Sequence, residues 1–356
     1  MKKLMVCIGT RPEAIKLAPL VLAAKARHFD VSVLISGQHR EMLAPFLSFF
    51  KIHADHDLSV FKPNQTLPSL TAAILQGMGP ILKSAQPDLL FVQGDTTTAF
   101  ACALAAFYEQ VPVAHVEAGL RTFDRYSPFP EEMNRMFVSR IAEYHFAPTV
   151  LAKENLAREG ITERVFVTGN TGVDALRFTL EKDPARLSES SKMILVTCHR
   201  RENHGKPLEH ICDALLEILE KHPDARVVFP VHLNPHVQKI VNAKLAGHPR
   251  ISFISPQGYE EFTALMKQAY LLLTDSGGVQ EEAPYLKKPI FVLRESTERP
   301  EGIDAGVSVL VGSDSEKIVN VVSRALSDSA FYQSFQRAAS PYGDGYAAEK
   351  ILDLLS

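Results

Sequence analysis

Leu4-Met5-Val6-Cys7-Ile8-Gly9-Thr10-Arg11-Pro12-Glu13 is the stretch that decides how the rest of the chain is read. Five consecutive apolar residues suit a strand buried on both faces, and the glycine after them marks a tight turn. Thr10 and Glu13 then have capping-box spacing, and Pro12 falls where a first helical turn accepts proline. The pattern predicts a strand, a turn and a helix over Ala14–Arg27, which is the opening half of a βαβ unit.

The same rhythm continues outward. Val31–Ile35, Leu89–Val92, Val111–Val116, Tyr144–Ala147 and Val165–Val167 read as further strands, with helical patterns between most of them, Thr98–Tyr108 among these. A second series follows at Met193–Thr197, Arg226–Val231, Ile251–Ile254, Tyr270–Thr274, Ile290–Leu293 and Val307–Val311. Apolar strands alternating with helices predict parallel sheets covered on both faces, and two series predict two doubly wound Rossmann-like α/β domains. The break falls in Glu181–Lys192, where Asp183-Pro184 and a serine cluster interrupt the pattern. The boundaries are therefore 1–182 and 183–340, and Ala347–Leu355 reads as a helix after the turn Pro341-Tyr342-Gly343-Asp344-Gly345. Ligands of such sheets bind beyond the carboxyl ends of the strands, so a cleft between the domains is the expected site.

At 356 residues, 46% apolar and 22% charged, the composition is that of a folded globular protein. A net charge of −3 offers no general attraction to nucleic acid or to anionic membranes. Cys7, Cys102, Cys198 and Cys212 form no CxxC pair and lie in apolar or helical stretches, as buried free thiols do. The apolar run at the start is too short for a signal peptide, and no stretch approaches the length of a membrane span. A cytoplasmic protein is expected.

The residues that carry chemistry lie just after the predicted strands. Capping explains Thr10 and Glu13 but not Arg11 and Lys16, and a guanidinium and an ammonium beside a helix start suit a diphosphate. One glycine in this loop falls short of the three in a dinucleotide fingerprint, and the chain has no GxxxxGK[ST] run, which disfavours dehydrogenase and P-loop chemistry. Asp275-Ser276-Gly277-Gly278 forms a second anion cradle, with Glu282 placed on the first turn of the helix that follows. Asp95 follows one strand and would also serve as a helix cap, whereas Glu117 at the end of another has no structural excuse. Glu131 and Glu132 begin a helix after Ser127-Pro128-Phe129-Pro130, and His199 heads His199-Arg200-Arg201-Glu202-Asn203. His232 and His236 are four apart, but Pro235 argues against one regular helix through both, and no zinc-ligand pattern accompanies them. No metal is expected.

These stretches, together with Gly94-Asp95-Thr96-Thr97-Thr98, His115-Val116-Glu117-Ala118-Gly119-Leu120-Arg121, Pro230-Val231-His232-Leu233-Asn234-Pro235 and Thr297-Glu298-Arg299-Pro300-Glu301, resemble the non-hydrolysing UDP-N-acetylglucosamine 2-epimerases of bacteria. The matches run in order over essentially the whole chain. The resemblance implies the GT-B fold, with UDP held mainly by the second domain and a C-terminal helix in 341–356 crossing back to the first. It implies Arg11, Ser276, Gly277 and Gly278 on the diphosphate, Glu282 on the ribose, Gln257 and Phe262 at the uracil, and Lys16 and Arg299 completing the set. It places Asp95, Glu117, Glu131 and His199 around the reacting sugar. A second, regulatory site of the family is matched in part at Gln38, Glu132, Arg201 and His232, with departures at Glu41 and Asn64. No cofactor is implied. The partners implied are UDP-GlcNAc, UDP-ManNAc and UDP, and a second copy of the chain in a homodimer.

Overall fold

A computed structural model of the chain describes residues 2–37, 40–60, 62, 64–182, 192–231 and 234–355, without the side chains of 40–42 and 201. The chain divides into two compact units, 1–178 with 342–356, and 179–341. The serine-rich stretch at 183–191 lies outside the described residues.

Unit 1 carries a seven-stranded parallel sheet in the order β3-β2-β1-β4-β5-β6-β7. Its strands are β1 (Lys3–Ile8), β2 (Asp30–Ile35), β3 (His56–Asp57), β4 (Leu89–Gln93), β5 (Val113–Val116), β6 (Tyr144–Ala147) and β7 (Val165–Val167). Every apolar run read as a strand in this half is one. β3 was not legible, because two residues at a sheet edge carry no period. The opening motif folds as its chemistry dictates: Thr10 caps the helix Arg11–Ala26, and the Glu13 carboxylate accepts the Thr10 and Gly9 amides at 2.6 and 3.0 Å. Met5, Cys7, Leu90 and Val92 pack beneath Ala99, Cys102, Ala103 and Ala106 of the helix Thr97–Tyr108, whose small residues let it lie close on the sheet.

Unit 2 carries a six-stranded parallel sheet in the order β10-β9-β8-β11-β12-β13. Here β8 is Lys192–Thr197, β9 Ala225–Pro230, β10 Ile251–Ile254, β11 Leu271–Thr274, β12 Ile290–Val292 and β13 Ser308–Leu310. The helix Lys206–Lys221 buries Leu208, Ile211, Leu215, Ile218 and Leu219 at helical spacing against Ile194, Val196, Val227 and Phe229. The next helix, Pro235–Leu245, starts at the proline itself, with Asn234 as its cap. All four cysteines are buried and free. Among the described residues no helix is long and apolar enough to cross a membrane.

In each sheet the strand order reverses direction at the centre, between β1 and β4 in unit 1 and between β8 and β11 in unit 2. These are the switch points at which doubly wound sheets open to ligands.

The segment from Tyr342 onward belongs to unit 1 and is held there by specific bonds. The Asn170 amide donates to the Tyr342 carbonyl at 2.8 Å, and the Ala348 amide donates to Asp174 Oδ1 at 2.7 Å. Gly169 and Gly343 both stand at positive φ (93° and 106°), and a Cβ on Gly343 would lie 3.0 Å from the Gly169 Cα. Two side-chain-free residues are what lets the two strands of chain touch.

Burial pushes the Asp174 carboxyl up to about 7 despite the Ala348 bond. Its value in the unfolded chain is lower, so between about pH 4 and pH 7 the folded protein holds the proton more tightly. The group therefore stabilises the fold at low pH, and that contribution is lost as the pH climbs through 7. Asp174→Asn retains an oxygen for the Ala348 amide and removes the ionisation. The variant should melt at the parent's temperature at pH 5 and above it at pH 8, by an amount reflecting a few kcal/mol at most. Parallel melting curves at both pH values would show that Asp174 does not govern this dependence.

Candidate active site

The unit 1 site grows from three neighbouring strand ends. β1 delivers Arg11 and Lys16 at the start of the helix Arg11–Ala26, and β4 and β5 deliver Asp95 and Glu117. In the β4–β5 register Gln93 faces Val116, which brings Gly94 beside Glu117. A Cβ on Gly94 would stand 3.9 Å from Glu117 Oε1. The two carboxylates thus leave adjacent central strands at the same level.

Each of these carboxylates is held by a cation. The Lys16 ammonium pairs with Glu117 Oε2, and both side chains are largely buried. Asp95 Oδ2 accepts from Arg135 Nε at 2.7 Å, and Asn134 Nδ2 donates to the Asp95 carbonyl at 2.9 Å. Arg135 Nη1 in turn bonds Glu132 Oε2 at 2.7 Å, while Glu132 Oε1 accepts the Thr122 and Phe123 amides at 3.0 Å. Desolvating an ion pair costs less when every partner is bonded, as here. Lys16, read from sequence as a diphosphate ligand, has its ammonium on Glu117 in this structure. Glu131 begins the helix Glu131–Ile141, and its Oε2 is buried with no hydrogen-bond partner among the described residues. An orphaned carboxylate oxygen is expensive in a protein that has no use for it.

His115, fully buried in β5, fixes the loop that carries Asp95. Burial pushes its ring down to about 3, so the imidazole is neutral. Its Nε2 lies 2.7 Å from the Gly94 carbonyl, which can only accept, so Nε2 carries the hydrogen. Arg11 is exposed at the helix start, with its guanidinium 5.9 Å from the centre of the Phe46 ring.

The unit 2 site is built on the paired ends of β8 and β11, where Thr197 faces Thr274. Asp275, fully buried, is its organising group. Its Oδ2 accepts the His199 and Arg200 amides at 2.9 and 2.8 Å and Asn203 Nδ2 at 3.0 Å, and its Oδ1 lies 2.9 Å from His199 Nδ1. Burial alone would raise this carboxyl, but the His199 ring and the surrounding donors outweigh it and hold it below the ordinary aspartate value. Ser276 caps the short helix Gly277–Glu282, so the glycines form its first turn. Glu282 is therefore the last residue of that helix, not a first-turn residue as the sequence suggested, because the helix already begins at Gly277. Arg299 lies over Gly277, where a Cβ would come within 2.8 Å of its guanidinium carbon, and it pairs with Glu281 and Glu298. Phe262 lies in the helix Tyr259–Gln268, and Gln257 precedes it with Nε2 on the Ser255 carbonyl at 2.7 Å.

Unit 1 thus brings Lys16 to Glu117, and Asp95 to Arg135 of the helix that Glu131 begins, while in unit 2 His199 meets Asp275 just before Ser276 and Arg299 lies over Gly277. Gln38 and His232 of the second pattern lie outside the described residues, as do the side chains of Arg201 and Glu41. Asn64 stands at φ 56°, and Glu132 is 1% exposed with its oxygens committed to the protein. Sequence reasoning missed Arg135, Asn134, Asn170, Glu281, Glu298 and the role of Asp275. Of these, only Arg135 carried a local signal, its three-residue spacing from Glu132 as a helical ion pair.

Two Rossmann-like units, each with charged groups and a helix start beyond its central strands, have the make-up of GT-B enzymes. The sequence model of the family described as UDP-N-acetylglucosamine 2-epimerase matches residues 22–356. A UDP-N-acetylglucosamine 2-epimerase of Yersinia pestis is 50% identical, covering 99% of this chain and 98% of its own. The crystal structure of UDP-GlcNAc 2-epimerase from Neisseria meningitidis bound to UDP-GlcNAc is similar with a TM-score of 0.89 at 44% identity, over 100% of this chain and 99% of that one. The Methanocaldococcus jannaschii UDP-GlcNAc 2-epimerase in complex with UDP-GlcNAc and UDP gives a TM-score of 0.80 at 37% identity, over 99% of both chains. The chain belongs to the UDP-N-acetylglucosamine 2-epimerase family, and its fold is the two-domain Rossmann-like GT-B fold that the resemblance implied.

Proposed function

We propose that this chain interconverts UDP-N-acetylglucosamine and UDP-N-acetylmannosamine by eliminating and re-adding UDP, without a redox cofactor. The observation that carries the reading is the pair Asp95 and Glu117, two cation-held carboxylates at the ends of adjacent strands in a chain of this family.

The hydrogen on carbon 2 of the sugar is not next to a ring carbonyl, so direct removal by a base is slow. Breaking the bond between carbon 1 and the UDP oxygen, with the electron pair leaving on UDP, makes carbon 1 oxocarbenium-like and that hydrogen acidic. A carboxylate takes the proton, the carbon–hydrogen electrons form the double bond between carbons 1 and 2, and 2-acetamidoglucal results. In the return step the UDP oxygen attacks carbon 1 while carbon 2 receives a proton on the opposite face. Inversion therefore needs two acid/base groups, drawn from Asp95, Glu117 and Glu131. Negative charge near the ring also favours the cationic transition state, as in glycosidases. Arg11, Ser276, Gly277, Gly278, Arg299 and His199 stabilise the departing diphosphate, with Glu282 at the ribose and Gln257 and Phe262 at the uracil. Lys16 acts on this reading through Glu117. A homodimer in the cytoplasm completes the proposal.

Proton NMR of the purified protein with UDP-N-acetylglucosamine in deuterated water tests it. The manno product should grow with deuterium at carbon 2. Release of free N-acetylmannosamine and UDP would instead make the protein a hydrolase, and binding without conversion would make it a nucleotide-sugar sensor.

A further inference from the structure

One buried residue joins three parts of unit 1 and touches a carboxylate of the proposed site. Asn170 follows β7 and is 3% exposed. Its Oδ1 accepts the Gly172 amide at 2.8 Å at the start of the helix Thr171–Lys182. Only an oxygen takes that hydrogen, so the orientation of the side-chain amide is settled and Nδ2 faces the other way. There it donates to Glu117 Oε2 at 3.3 Å, the oxygen that also takes the Lys16 ammonium. The backbone amide of Asn170 meanwhile donates to the Tyr342 carbonyl, where the chain re-enters unit 1.

Glu117 has φ of 63°. A side-chain-bearing residue holds that left-handed conformation only when its surroundings impose it, and such residues cluster at functional sites. The two donors on Oε2 differ in kind. Lys16 brings charge on a flexible stem, whereas Asn170 brings a planar amide whose oxygen is already held by the Gly172 backbone amide.

We propose that Asn170 is a positioning residue that sets the plane of the Glu117 carboxylate, from a platform made by β7, the helix start and the returning segment. The proposal rests on Glu117 being an acid/base group of the epimerisation.

Asn170→Asp separates the two tasks of this side chain. Aspartate keeps an oxygen for the Gly172 amide, so the turn at the helix start survives. Toward Glu117 it presents a second carboxylate oxygen in place of a donor, and like charges at that distance repel. The expected result is a kcat lower by about 10- to 100-fold with KM changed less than about threefold, the pattern of a group that acts on the transition state. The melting temperature should stay within a few degrees of the parent. A purely structural role predicts the reverse, a lower melting temperature with kcat kept. If Asn170→Asp does not fold, Asn170→Ser keeps a short acceptor for Gly172 but cannot reach Glu117, and the same loss of kcat is expected.

In a Glu117→Gln background, Asn170→Asp should cost little more, because its effect passes through Glu117. A folded Asn170→Asp enzyme whose kcat is within about twofold of the parent overturns the proposal. Normal turnover by Glu117→Gln alone overturns the assignment of Glu117 and the proposal with it, so the two failures are distinguishable.

Discussion

Under the proposed epimerisation, Glu117→Gln, Asp95→Asn and Glu131→Gln should each lower turnover by about 10²- to 10⁴-fold, the range in which a positioned acid or base usually contributes. The amide is close to isosteric with the carboxyl group it replaces but neither takes nor delivers the proton. The three substitutions differ in their structural cost. Glu117→Gln removes the charge facing a largely buried Lys16 ammonium and should lower stability as well as rate. Asp95→Asn leaves Arg135 with Glu132 as its remaining anionic partner, a milder loss. Glu131→Gln breaks no bond of Oε2, which has no partner among the described residues, so its rate loss should come with the least change in melting temperature. Steady-state conversion of UDP-N-acetylglucosamine, with thermal unfolding in parallel, separates the two contributions. Near-normal turnover by any one variant removes that residue from the acid/base set.

Asp275→Asn is expected to have the next largest effect, about 10²-fold in kcat/KM, although Asp275 lies behind the residues proposed to meet substrate. The His199 and Arg200 amides and the Asn203 side chain all donate to Oδ2, and the His199 ring nitrogen stands beside Oδ1. An asparagine supplies one acceptor oxygen, enough for the three donors on Oδ2, and turns its NH2 toward the His199 ring. If the oxygen stays with the amides, the NH2 faces His199 Nδ1, which then must accept, and the ring carries its hydrogen on the opposite nitrogen. Substitution of a buried aspartate behind a catalytic histidine costs rate for this reason even where geometry survives. Nitrogen-15 NMR of the His199 ring, in parent and variant, would read the tautomer directly. An unchanged ring spectrum together with parent-like kcat/KM would show that Asp275 serves only the backbone of the loop.

What could be read in the chain and what could not divide along a physical line. Strands buried on both faces need nearly unbroken apolar runs, so β1, β4, β5, β8 and β11 announce themselves, and the residues that follow them are candidates by position. Asp95, Glu117, His199 and Ser276 were found that way. The partners that hold these groups come from elsewhere in the chain. Arg135 reaches Asp95 across 40 positions, Asn170 reaches Glu117 across 53, and Asp275 reaches Asn203 across 72. Local periodicity records which face of an element is covered, not which distant polar group completes a carboxylate. The placement of Glu282 failed for a different reason, since the glycines read as a loop before the helix form its first turn.

The return of Tyr342–Ser356 to the first unit sets an order on synthesis. Residues 179–341 form a unit contiguous in the chain, complete once residue 341 has emerged from the ribosome, whereas the unit begun first waits for the segment from Tyr342. Until then the amide of Asn170 lacks the Tyr342 carbonyl and Asp174 lacks the Ala348 amide. Glu117 is thus fully framed only when translation of both units is done, and a nascent chain arrested before Tyr342 carries the carboxylates of the site without the platform beneath them.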